Sequence, residues 1–156
     1  MKKTIKMWRM TALYGILDAA KYTKMDSAAR TLLIRAMRPM RRMTNDYNEF
    51  REDAVKRLRP DNYDEVAGLV QRFAAMDAEA QKTAIAESPY KEALKANYEF
   101  NTALNGCMAE ENEKEVELDF APLTDAVFDA LCDSNPDWTL GQCMELQEVL
   151  CEKGAE

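Results

Sequence analysis

The pattern of hydrophobic and polar positions changes period along this chain. Residues 1–8, "MKKTIKMW", alternate: Ile5 and Met7 fall on one side of an extended segment, Lys2, Thr4 and Lys6 on the other. From Thr11 the spacing turns helical. Leu13, Ile16, Leu17 and Ala20 predict a short helix, capped by Thr11 and ending near Tyr22.

Asp26 or Ser27 can cap the next segment. Its apolar positions run Ala29, Leu32, Leu33, Ala36, Met37, Met40, Met43, Tyr47, Phe50, Ala54 and Leu58, almost all three or four apart. A helix over 27–58 is about 48 Å long at 1.5 Å per residue. Pro39 lies inside it and removes one backbone donor. The stripe keeps its phase across Pro39, which predicts one kinked helix rather than two.

"RPDNYDE" reads as a turn, and Asn62 with Glu65 fits a capping box. Val66, Leu69, Val70, Phe73, Met76 and Ala80 form the following stripe. Ser88 and Pro89 mark a restart, continued by Leu94, Tyr98, Asn101, Leu104 and Met108. "EKEVELDF" then alternates strictly, with Glu115, Glu117 and Asp119 opposite Val116, Leu118 and Phe120. Its acidic face complements Lys2 and Lys6, so residues 2–8 and 114–120 are expected to pair as a ribbon. Two strands alone are marginal, so helices must cover the apolar face. Pro122 opens a helix with Leu123, Val127, Phe128 and Leu131. After "DSNPDW", a capping box of Thr139 and Gln142 starts the last one, with Leu140, Cys143, Met144, Leu146 and Leu150.

The expected fold class is mainly α: a long antiparallel helical hairpin with short terminal helices and one small two-stranded antiparallel β ribbon, forming a single helical domain over 1–156. Ala, Leu, Met, Glu, Lys and Arg are abundant, and glycine and proline number five each, which suits helices and argues against a loop-rich β sandwich. No run approaches about 18 apolar residues, so no membrane contact is expected. Arg9 and Asp18 interrupt the N-terminal apolar stretch, which is not read as a signal peptide.

Net charge is −7, but its distribution matters more. Residues 1–59 carry 15 Lys and Arg against 6 Asp and Glu; the remainder carries 6 against 22. Such asymmetry points either to a basic binding face or to two halves that neutralise each other. The basic set is densest in "IRAMRPMRRM". Arg30, Arg35, Arg38, Arg41 and Arg42 are the candidate nucleic-acid-binding residues, and Arg35, Arg38 and Arg42 share one helix face. The basic set continues with Arg51, Lys56, Arg57 and Arg59. The competing reading is a solvated face, or one paired with the downstream carboxylates, whose abundance favours it.

Histidine is absent, which removes Ser–His and Cys–His nucleophilic arrangements. No Gly-rich phosphate loop occurs. Cys107, Cys132, Cys143 and Cys151 form no CxxC pair and are read as free, packed thiols. Glu115, Glu117 and Asp119 lack the loop spacing of a calcium site, and pairing with lysine is the better reading. No catalytic residue, metal or cofactor is expected. Met37, Met40, Met43 and Met76 are read as core, and Trp138 as a hydrophobic staple before Thr139.

The stretch from "IKMWRMTALYG" through "EDAVKRL", then "NYEFNTALNGCMAEENEKEVELDFAPL" and "WTLGQCMELQEVL", follow one another in an order that resembles small helical proteins encoded by bacteriophages and prophages. That resemblance implies a viral or prophage origin and the cytoplasm of a bacterial host. It brings no catalytic residues, and residues 60–87 fit it least. The expected function is a non-enzymatic phage- or prophage-type accessory protein acting through contacts with a protein partner or with itself, as in a homodimer. The alternative is nucleic-acid binding by the basic face around Arg30–Arg42.

Overall fold

The computed structural model describes residues 1–152. The protein is mainly α, with seven helices and one two-stranded antiparallel sheet among the described residues. In chain order the elements are β1 (Lys2–Lys6), α1 (Met7–Asp18), α2 (Ser27–Leu58), α3 (Tyr63–Ala74), α4 (Ala78–Ala84), α5 (Tyr90–Glu113), β2 (Glu115–Asp119), α6 (Asp125–Ser134) and α7 (Leu140–Leu150). The backbone gathers into two compact units. One comprises Met1–Asn48 with the chain from Glu111 onward, and the other Glu49–Glu110.

In the first unit β1 and β2 pair antiparallel, with Lys2 opposite Asp119, Thr4 opposite Glu117 and Lys6 opposite Glu115. This is the expected ribbon. Its ladder runs on past the strands: Met1 and Phe120 exchange bonds at one end, and Met7 N–H donates to the Lys114 carbonyl at the other. Ile5 and Leu118 point inward, and the acidic residues of β2 point to solvent. The core is filled by Met10, Leu13 and Leu17 of α1, Leu33, Ala36 and Met40 of α2, Leu131 of α6, and Leu146, Val149 and Leu150 of α7. Helices on the inner face of the ribbon thus supply the burial that two strands cannot provide for themselves.

Several local expectations are corrected. α1 begins at Met7, not Thr11, because Met7, Met10, Leu13 and Leu17 already form one buried helical face. The Thr11 hydroxyl donates to the Trp8 carbonyl inside the helix rather than capping it. The helix also stops at Asp18, short of Tyr22. α2 starts where expected, with the Asp26 carboxylate accepting from Ala29 N–H at 2.7 Å. It runs unbroken through Pro39, since the packed stripe of Leu33, Ala36 and Met40 outweighs one missing hydrogen bond.

Toward the C-terminus, α6 is capped by Thr124, not opened by Pro122. Leu123 instead forms a parallel bridge with Cys151 and donates to the Leu150 carbonyl. The capping box of Thr139 and Gln142 is present in both directions. Leu140 and Met144, expected on the apolar stripe, are exposed, and Val149 takes a core place instead. Met37, Met43 and Trp138 pack against the core.

In the second unit, Val66 and Leu69 of α3 pack with Ala93 of α5. Tyr63 meets Phe100 edge-on at 5.6 Å, and the Arg59 guanidinium lies over the Tyr63 ring. The Asn62 side chain makes no capping bond, so the expected box with Glu65 does not form. The stripe read through Ala80 as one helix is two. Asp77 caps α4 through Ala80 N–H at 2.8 Å, a start signal hidden by the surrounding helix formers. Ser88 donates to the Glu92 carboxylate instead of capping α5, and Phe50 and Tyr98 stand exposed. In the first unit the Tyr47 hydroxyl bonds the Asn112 side chain at 2.7 Å, and in the second Arg57 bonds the Cys107 sulfur at 3.4 Å.

Candidate nucleic-acid interface

α2 buries Ala29, Leu33, Ala36 and Met40 on one side. At about 100° per residue, Arg30, Arg35, Arg38, Arg41 and Arg42 all fall in a sector of about 140° centred opposite that buried side. All five are exposed. From Arg30 to Arg42 the helix rises by about 18 Å. Arg30, Ile34, Arg38 and Arg42 follow one another four residues apart and form a single surface ridge.

None of these five guanidinium groups makes an ion pair among the described residues. Arg30 alone has a local bond, from Nε to the Asp26 carbonyl at 3.4 Å. The neutralisation expected between the basic and acidic halves does occur, but through other cations. Lys2 pairs with Glu117 at 2.9 Å, and Lys6 with Glu113. Arg9 forks onto Glu145 at 2.7 Å and Glu148 at 2.9 Å, joining α1 to α7. Hydrogen bonds to these carboxylates hold the Arg9 guanidinium above its usual pKa. The arginines of α2 are therefore not answered by the acidic residues as the sequence balance suggests. They crown a face whose opposite side is locked into the core, although Arg42 shares a depression with the carboxylates of Asp46 and Glu111.

No family model, curated protein or solved structure matches the chain.

Two depressions flank the ridge within the first unit. One, of about 360 Å³, is lined by Met7, Pro39, Arg42, Met43, Asp46 and Glu111, among others. Its two carboxylates make it a poor seat for an anion. The other, of about 400 Å³, is lined by Tyr22, Ser27, Arg30, Thr31, Ile34 and Met37, with Leu33 at its floor, and holds no carboxylate. Tyr22 is 47% and Ile34 57% exposed. Sequence periodicity singles out neither residue as functional. Ile34 does carry a signal, as an apolar residue standing off the buried stripe between arginines. Tyr22 carries none, because only the loop's path brings it beside α2.

That loop is held at two points. Asn135 exchanges hydrogen bonds with both backbone groups of Lys21, and Lys24 N–H donates to the Ser134 hydroxyl at 2.9 Å. Tyr22 thus sits on a fixed turn between two exposed lysines, Lys21 and Lys24, neither of them ion-paired among the described residues. The expected pairing of the acidic ladder is met at Glu117 by Lys2, and Asp119 is met by the N-terminal ammonium at 3.8 Å, whereas Lys6 pairs with Glu113. Among the described residues no three Cys, Asp or Glu converge as a metal-ligand set. None of the helices is long and apolar enough to cross a membrane.

Proposed function

We propose that this protein is a non-enzymatic, phage- or prophage-type accessory protein whose working surface is the arginine face of α2, and that this surface binds the phosphate backbone of nucleic acid. One observation carries the reading: five exposed guanidinium groups on one helix face, free of ion pairs among the described residues. Guanidinium is weakly hydrated and presents a planar fork of donors that matches phosphate oxygens. The overall charge of −7 opposes long-range attraction. At physiological salt, however, charges beyond about 8 Å are screened, and a local cluster decides the contact. The phage or prophage assignment rests on the order of sequence segments alone.

The test is fluorescence anisotropy of labelled oligonucleotides at low salt, with Arg35→Glu/Arg38→Glu as the variant. Both side chains are exposed, so reversal of their charge leaves the core intact. Binding by the wild type and its loss in the variant support the reading. Absence of wild-type binding removes it.

A second reading, contact with a protein partner or a second copy, draws on α7. Leu140 and Met144, one turn apart, are 77% and 62% exposed. Light scattering coupled to size exclusion tests the self-associating form. A monomer at micromolar concentration that Leu140→Glu leaves unchanged rules out that form.

A further inference from the structure

Resting on the nucleic-acid reading above, we infer that the polynucleotide held by this face is single-stranded, with an unpaired base lodged against Tyr22 and Ile34 beside Arg30. A bare phosphate-binding face needs charge and hydrogen-bond donors only. This one has, in addition, an aromatic ring and an aliphatic side chain open to solvent in a depression of about 400 Å³. Bases in a duplex show a protein their edges, because their ring faces are covered by the bases above and below. An unpaired base has both ring faces free and stacks on aromatic side chains whatever its sequence. A volume of this size falls in the range of small-molecule clefts.

The arrangement around the depression has the same logic. Lys21 and Lys24 flank Tyr22 in the loop, while Arg30 lines the depression from α2 and Arg38 and Arg42 continue along the ridge beyond Ile34. Exposed cations of both the loop and α2 thus accompany the apolar seat, as needed where a charged backbone runs past a stacked base. The Tyr22 hydroxyl has no hydrogen-bond partner among the described residues, although its loop is tied down on both sides by Asn135 and Ser134. The backbone that carries the ring is thus held in place, while about half of the residue stays open to solvent. A stacking platform fixed in advance loses little freedom on binding.

The experiment compares labelled oligo-dT, oligo-U and a mixed-sequence duplex, each of about 16 nucleotides, a length that spans the usual single-strand site sizes. Wild-type protein should bind a single strand about tenfold tighter than the duplex. Tyr22→Ala should abolish that margin while leaving duplex affinity within about twofold, and Tyr22→Phe should keep it, because the ring and not the hydroxyl stacks. The ordering of oligo-dT and oligo-U identifies DNA or RNA as the source, and either supports a single strand. Equal or tighter duplex binding, or a margin that survives Tyr22→Ala, overturns this inference and leaves the arginine face standing as a general phosphate binder. No binding to any of the three removes the nucleic-acid reading and this inference with it. Tyr22 is exposed and circular dichroism of each variant reports the fold directly, so a null result is not mistaken for unfolding.

Discussion

Asn135 and Lys21, separated by 114 residues, clasp each other through two hydrogen bonds: the Asn135 amide donates to the Lys21 carbonyl at 2.8 Å, and its oxygen accepts from Lys21 N–H at 2.8 Å. A third bond runs from the same amide nitrogen to the Leu131 carbonyl at 2.9 Å. A buried side chain here takes the place of a strand partner for one residue of loop.

Truncating Asn135 to Ala leaves the Lys21 N–H and carbonyl without their partners. The expected cost is about 2–3 kcal/mol in urea unfolding. Asn135→Asp keeps the acceptor but turns a carboxylate toward two carbonyls. It should be at least as damaging at neutral pH, and part of the loss should return in acid, where the protonated group can donate again. Equal stability of both variants and wild type would show that the clasp is incidental.

In the ribbon, neighbouring positions on β2 should behave oppositely. Leu118 is fully buried, and Leu118→Ala should cost about 2–5 kcal/mol through lost burial and a cavity. Glu117→Gln removes an exposed ion pair with Lys2 and should leave the urea midpoint where it is. A reversed order would mean that β2 faces the other way.

At the start of α7, the Thr139 hydroxyl accepts from Gln142 N–H at 3.2 Å, and the Gln142 side chain accepts from Thr139 N–H at 2.9 Å. Thr139→Ala should destabilise by about 1 kcal/mol. The double variant with Gln142→Ala should lose less than the two single losses added together, because the two bonds belong to one device.

Burial raises the Cys132 thiol to about 12, helped by the neighbouring Cys143 and by Asp129 and Asp133. Burial likewise raises Cys151 to about 11, with Asp125 and Asp129 adding to it. Both thiols are therefore protonated at neutral pH, and iodoacetamide should label them far more slowly in the folded protein than in urea. The sign for stability follows. A folded-state value above the unfolded one favours the fold fully below about pH 9, and that contribution drains away as pH rises from about 9 toward 11–12. Replacing both cysteines by Ala should flatten this alkaline decline; an unchanged decline would assign it to other groups.

If the arginine face holds phosphates, affinity must fall with salt. Five contacts to a single strand predict a slope of about −3 to −4 in log affinity against log salt, and Arg35→Glu/Arg38→Glu should reduce its magnitude by about 1 or more. A salt-independent affinity would place binding elsewhere on the molecule.

Features governed by near neighbours in the chain are legible in the order of the amino acids. Strict alternation through Glu115, Glu117 and Asp119 marks β2, because a strand's side chains alternate whatever lies beside it. Thr139 and Gln142 sit three apart and complete their box without outside help. The bounds of α2 follow from its long apolar stripe and its Asp26 cap. Met7 reads as strand although it opens a helix, because one residue of alternation and the first residue of a helix look the same in a short window. Asp77 is hidden because helix formers continue on both sides of a break that its carboxylate makes.

Residue order alone commits this chain to helices, pairs two distant alternating segments as an antiparallel ribbon, and collects positive charge on one helix. Which cations are neutralised is instead a question of distance between residues far apart in the chain, and the packing of the helices answers it. Arg9 reaches Glu145 and Glu148, whereas the α2 arginines face away from the core that holds their helix. The same holds for Tyr22 beside Arg30 and Ile34, a neighbourhood set by a loop that Asn135 holds from the other end of the chain. Charge and periodicity are local properties of a sequence; partnership depends on how the packed core orients each face.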